Sequence, residues 1–283
     1  MTQPAPPDDA ARVDRLAFYL LKGVNRAVRE HEMIAEGARV FVAVSGGKDS
    51  LTLLDLLHRR RRLAREGYDL IAGHVRSDGA CGRGVPVAWL DAWCREREIP
   101  LVTGDLRVAD EIRAGGAGAC FLCARRRRRA VMELARAHDC RLVALGHHAD
   151  DLAETALLNL FFNARLETMA PRVALFRGEM TVIRPLAYLE ERDIVTFARA
   201  SSYPILGEPC PYGETSQRAL VRRLLRELES GHHTAKRCIL AATARVGQEA
   251  PIDHHQNGVT RERRACARAV GATSESEEET RGG

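Results

Sequence analysis

"VAVSGGKDSLTLL", residues 42–54, joins a β-branched run to a leucine-rich one through a turn of small and polar residues. The run "RVFVAV" (39–44) reads as a buried strand, and "LTLLDLLHRRRR" (51–62) reads as a helix. Between them Gly46 and Gly47 permit a tight turn and let backbone N–H groups approach a ligand. The helix starts near Asp49 or Ser50, so its positive end points back at the turn. Ser45 and Ser50 add hydroxyls, and Lys48 adds a point charge. Together these residues make a phosphate cradle. It is not a Walker A loop, because the Gly-Lys-Ser/Thr ending is absent. The bland alternative is a glycine turn ahead of a core helix.

Outward from this stretch, strands and helices alternate. Residues 1–10 are Pro-rich and expected to be disordered, and 11–34 has the four-residue spacing of a helix (Leu16, Leu20, Val24, Val28). Further strands are expected at 69–75, 99–106, 141–147 and 180–186. Helices are expected at 87–98, from Cys120 to about Ala137, at 150–163 and at 190–200. This alternation predicts an α/β fold, a doubly wound parallel sheet with flanking helices on both faces. Ligands in such sheets bind at the carboxyl ends of the strands, where the loops 45–50 and 146–151 fall. The expected division is a disordered start and N-terminal helix (1–34), a nucleotide-binding domain (35–231), and a C-terminal helix with a loose tail (232–283).

The chain has 283 residues and a net charge of +5. The acidic last ten residues, "SESEEETRGG", carry −3, leaving about +8 elsewhere, which points to an acidic partner such as nucleic acid. Of 43 basic residues only Lys22, Lys48 and Lys236 are lysine, a bias that a GC-rich genome explains. No apolar run is long enough to span a bilayer, and the N-terminus lacks a secretory pattern, so a cytoplasmic protein with no membrane association is expected.

A second motif, "ALGHHADDLAETALLNLFF" (144–162), sets His147, His148, Asp150 and Asp151 at the end of the fourth strand. Adjacent carboxylates beside polyphosphate suit a magnesium ion or proton removal from a substrate. Zinc held by the histidines, or plain helix capping by the aspartates, are the competing readings.

The eight cysteines need no disulfide framework in a chain of this size. Cys94 and Cys140 read as small buried hydrophobes. Cys120 and Cys123, in "GACFLCARRRRRAVM" (118–132), are three apart without the second close pair of a zinc knuckle or the context of a thioredoxin. A cluster site with a distant third ligand is left, and Cys210 in "LGEPCPYGETSQR" is a candidate. Of the five arginines that follow, two or three can share a helix face, and Arg125, Arg128 and Arg129 are expected to meet RNA phosphates.

The Ser-Gly-Gly-x-Asp-Ser stretch resembles the signature of the PP-loop ATP pyrophosphatases, with their adenine nucleotide α-hydrolase-like fold. That resemblance implies ATP cleaved between its α- and β-phosphates, with Ser45, Gly46, Gly47, Asp49 and Ser50 on the pyrophosphate and its Mg2+. Lys48, Asp49 and Asp150 are the expected catalytic residues, and His147 and Asp151 complete the nucleotide site. Over roughly residues 16–230 the chain resembles the tRNA 2-thiocytidine synthetases of the TtcA type, on "EHEMIAEGARVFVAVSGGKDS", "CFLCARRRRRAVMELA", "ALGHHADDLAETALLNLFF", "VIRPLAYLEERDI" and the Cys210 loop. This second resemblance implies a 4Fe–4S cluster on Cys120, Cys123 and Cys210, adenylation of C2 of the cytidine at tRNA position 32, and replacement of its oxygen by sulfur. It also implies a sulfur donor such as a cysteine desulfurase and allows a homodimer. The chain departs from the family in "HVRSDGACGRG", where Asp78 is displaced and Cys81 has no family role, and in its C-terminal segment. The alternatives are a PP-loop ligase for another substrate and a non-catalytic iron–sulfur or RNA-binding module.

Overall fold

The computed structural model describes residues 7–78, 84–114, 119–206 and 216–249. Residues 1–245 form one compact unit, and residues 246–283 a second, of which only the last helical turn is described. The expected tail at 250–283, Cys81 and Cys210 lie outside the described residues.

Six strands form one sheet in the order β3-β2-β1-β4-β6-β5. They are β1 (Ala38–Ala43), β2 (Tyr68–Ser77), β3 (Leu101–Leu106), β4 (Leu142–Ala144), β5 (Arg172–Leu175) and β6 (Met180–Ile183). The first four and β6 are parallel, as expected. The edge strand β5 is antiparallel to β6, so the sheet is mixed. Sequence reading missed β5 because it is only four residues long and none of them is buried, so its short apolar run does not stand out as a strand.

The helices are α1 (Pro7–Glu30), α2 (Lys48–Arg61), α3 (Val87–Glu96), α4 (Ala109–Ala114), α5 (Ala119–Ala137), α6 (Ala149–Asn163), α7 (Glu191–Ala200), α8 (Gln217–Gly231) and α9 (Ala235–Glu249). The first begins at Pro7, inside the stretch expected to be disordered, because proline is at home in a first helical turn. It ends at Glu30 rather than 34. Cys94 and Cys140 are both 1% exposed, as expected of small core residues.

Period-two alternation in β1 splits the core. Val40 and Val42 face a cluster with Leu53, Leu57, Leu90 and Phe197 from α2, α3 and α7. Phe41 faces the other way, into a cluster with Met132, Ala135, Val143 and Val182. The sheet is therefore covered on both faces. From β1 the chain steps one way to β2 and β3, then returns to lay β4 on the opposite side of β1. That reversal opens a crevice beyond the carboxyl ends of β1 and β4.

Asp78, at the end of β2, accepts the N–H groups of Val108 and Ala109 at 2.7 and 3.0 Å. Its carboxylate serves the start of α4. Among the described residues no helix is long and apolar enough to cross a membrane.

Candidate active site

The loop after β1 is braced by its own side chains. Ser50 Oγ donates to Gly47 O at 2.9 Å, and it accepts Ser45 N–H at 3.1 Å. Gly46 has φ +86°, and a Cβ there would meet Val85 N at 3.0 Å, so glycine is required on two grounds. The loop after β4 comes equally close. A Cβ on Gly146 would lie 3.0 Å from the carbonyl carbon of Asp49 and 3.1 Å from Ser50 N. The two loops thus form the walls of one cavity of about 980 Å³. Ser45, Asp49, Ser50, His147 and Asp151 line it, as do Arg127, Arg128, Arg184 and Arg218.

His148, the N-cap of α6, is buried and central to the carboxylates. Its Nε2 lies 3.6 Å from Asp49 and 3.4 Å from Asp151, and its Nδ1 lies 3.5 Å from Asp150. Burial works against its charge, but the surrounding Asp150, Asp151 and Asp49 outweigh it and raise its pKa. Neighbouring His147 is the opposite case. Burial dominates there and pulls its pKa down to about 4, so it faces the cavity as a neutral ring at pH 7.

The two adjacent aspartates have different surroundings. Asp151 faces the cavity and also caps α6, taking His148 N–H at 3.1 Å. Asp150 turns the other way. It accepts Glu191 N–H at 2.7 Å at the start of α7 and binds Lys236 Nζ of α9 at 2.5 Å. Burial opposes its ionisation, but His148, Lys236 and the Glu191 N–H hold it well below the ordinary carboxylate range. The expectation that Asp150 faces the phosphate loop is therefore corrected, since helix geometry sends consecutive side chains about 100° apart. Lys48 likewise reaches sideways, to Asp49 at 3.0 Å and Glu191 at 2.9 Å.

A family model described as the PP-loop domain matches residues 21–228. A tRNA-cytidine(32) 2-sulfurtransferase from Geobacter metallireducens is 43% identical, covering 83% of this chain and 92% of that protein. The enzyme of the same name from Citrifermentans bemidjiense is 37% identical over 89% of this chain and 98% of its own. The chain belongs to the tRNA-cytidine(32) 2-sulfurtransferase family of PP-loop proteins. Its fold also matches that of the U34-tRNA thiolase NcsA from Methanococcus maripaludis with its 4Fe-4S cluster, with a TM-score of 0.69 at 22% identity over 87% and 84% of the two chains.

Within this family fold, Cys120 and Cys123 occupy the first turn of α5. Cys123 is a free, buried thiol packed with Val108, Ile112 and Leu106. Residues three apart share a helix face. A soft sulfur donor in dry surroundings, as at Cys123, fits an iron–sulfur group. Among the described residues no three His, Cys, Asp or Glu come together as a ready-made metal site. Mg2+ needs no such cage, because it is usually held by one or two carboxylates together with substrate phosphates, and Asp49 and Asp151 fit that role.

The arginine run divides by partner. Arg125, Arg128 and Arg129 are exposed, but Arg129 is paired along the helix with Glu133 at 2.7 Å. Arg126 binds Glu111 of α4 at 2.8 Å. Sequence reading missed Arg127, Arg184, Arg218, Glu191 and Lys236 as site residues. Lys236 carried a signal as one of three lysines in an arginine-dominated chain, and Arg184 and Glu191 lie within the stretch "VIRPLAYLEERDI".

Proposed function

We propose that this chain is an ATP-dependent tRNA thiolase that replaces the C2 oxygen of cytidine 32 with sulfur. The observation that carries the reading is the single cavity at the switch point of the sheet, with a phosphate-binding loop on one wall and arginines on another. The N–H groups at the start of α2, with Ser45 and Ser50, hold the pyrophosphate part of ATP. Asp49 and Asp151 would hold Mg2+, which would neutralise charge on that pyrophosphate. The C2 oxygen attacks the α-phosphorus, pyrophosphate leaves, and the base becomes adenylated. His147, neutral at working pH, accepts or donates a hydrogen bond to the base without adding charge. Asp150 is a positioning residue that tethers His148, α7 and α9.

Cys120, Cys123 and Cys210 would hold a 4Fe–4S cluster, which when bound would supply the sulfur for C2. AMP carries away the former C2 oxygen. Arg125 and Arg128 meet the tRNA backbone, with Arg129 adding a weaker contact because of Glu133. The protein works in the cytoplasm, receives sulfur from a donor such as a cysteine desulfurase, and works as a homodimer.

The decisive experiment is nucleoside analysis of tRNA from a deletion strain, with complementation by the natural chain and by Asp49→Asn. The expected result is loss of 2-thiocytidine, restored only by the natural chain. Purified enzyme is expected to release AMP and pyrophosphate. Unchanged 2-thiocytidine in the deletion strain, or release of ADP and phosphate, overturns the reading.

A further inference from the structure

The large cavity is lined by two arginines that have no counter-charge among the described residues. Arg184 follows β6, is half-buried, and lines the cavity. Its Nε is buried without a hydrogen-bond partner, while another nitrogen of the guanidinium donates to Ala170 O. Arg128 of α5 lines the same cavity, and its Nε donates to Ala124 O at 3.2 Å. Burial, and then the charge of Arg128, pull the Arg184 pKa below the ordinary arginine value. Among the described residues neither guanidinium has a carboxylate within ion-pair distance. Arg218 in the same cavity differs, because Glu154 at 3.3 Å and Asp151 at 3.7 Å compensate it.

A half-buried guanidinium with a second positive charge near it is costly unless an anion joins them. A planar guanidinium fork suits a phosphate oxygen pair. The polyphosphate of ATP already has its own donors at the start of α2. On the other side the cavity is lined by Gly73, His74 and Val75 of β2 with Val85 and Pro86 before α3, apolar surface beside a ring nitrogen that suits a purine. β6 stands two strands from β1, about 10 Å away across the sheet. The two arginines thus stand on the β6 and α5 side of the cavity, away from β2.

We infer that Arg184 and Arg128 form a clamp for a phosphodiester of the RNA strand that delivers the reacting nucleotide, separate from the ATP phosphate site. The inference rests on the tRNA-thiolase reading and adds a substrate contact to it. The half-buried Arg184 sets the depth to which the strand enters, and exposed Arg128 contacts it from the rim.

The test uses the full-length protein and unmodified tRNA, titrated by fluorescence anisotropy from 50 to 200 mM salt. The variants are Arg184→Gln, Arg128→Gln and Arg184→Lys, and ATP affinity is measured in parallel. Each Gln variant is expected to bind tRNA roughly tenfold more weakly, as for a lost charge-assisted contact. The salt slope should fall by about one per arginine removed. Arg184→Lys should recover part of the affinity because it keeps the charge and loses the fork. ATP affinity should stay constant throughout. Loss of ATP affinity with an unchanged tRNA slope would assign the pair to the ATP phosphates and overturn the clamp. No change in either ligand would overturn it as well. If Arg184→Gln fails to fold, exposed Arg128→Gln carries the same comparison. Absence of tRNA binding by the natural chain would instead sink the functional reading itself.

Discussion

Gly73 in β2 shows how one residue can be set by a neighbour distant in sequence. A Cβ there would fall 1.8 Å from Cζ of Phe41, which is fully buried on the adjacent strand. Gly73→Ala forces that ring aside and is expected to cost about 1–3 kcal/mol, read as a lower urea midpoint. An unchanged midpoint would mean that Phe41 has a second place to go. His58 on α2 is a second case. Burial lowers its pKa, and Arg61 and Arg62 push it the same way while Asp55 opposes them. The folded state therefore binds its proton less readily than the unfolded state. Its contribution to stability is complete above the ordinary histidine pKa of about 6.5 and is lost as the pH falls below it. The urea midpoint of His58→Gln should depend less steeply on pH between 7.5 and 5.5 than that of the natural chain. Equal slopes would show that His58 is not the group responsible. In the sequence Gly73 is an ordinary strand glycine and His58 an ordinary helix residue, because the reason for each lies on another element.

Among the elements, α9 shows the widest gap between pattern and role. Its residues were legible as a C-terminal helix, but nothing in the sequence connects Lys236 to a carboxylate 86 positions away. Lys236 Nζ sits between Asp150 at 2.5 Å and Glu229 at 2.9 Å, with its side chain 9% exposed. Lys236→Met leaves Asp150 buried without its cation and should cost about 3 kcal/mol, measured by urea unfolding. Lys236→Arg should restore part of this loss. A Met variant as stable as the natural chain would mean that the pair contributes nothing to joining α9 to α6. By contrast α2 was legible almost whole, since its start is dictated by the local Gly-Gly turn and its face by leucines in one continuous run.

For the whole molecule, the question is which positive charges are available to a large acidic partner. Five consecutive arginines look alike in the sequence, and their partners distinguish them. Arg126 ties α5 to α4 through Glu111, whereas Arg125 is exposed and has no such partner among the described residues. Arg125→Ala is expected to weaken tRNA binding and shallow its salt dependence, leaving the melting temperature within about a degree. Arg126→Ala should leave the salt slope unchanged and change stability by less than about 1 kcal/mol, because the lost ion pair is half-exposed. Equal tRNA affinities for Arg125→Ala and the natural chain would move the RNA surface off this part of α5.

The sequence alone determined the strand–turn–helix around Ser45–Ser50, the alternating α/β order, and the thiol pair at the start of α5. Each of these is a local pattern, set by apolar periodicity, glycine freedom and short spacing. Tertiary structure decided the rest. It laid β4 beside β1 and so brought His147, His148 and Asp151 to the phosphate loop. It turned Asp150 away toward Lys236 and brought Arg184 and Arg128 into one cavity. Those outcomes depend on which way each side chain points once the helices pack, and on charges that meet only across long chain separations. No spacing in the sequence encodes either.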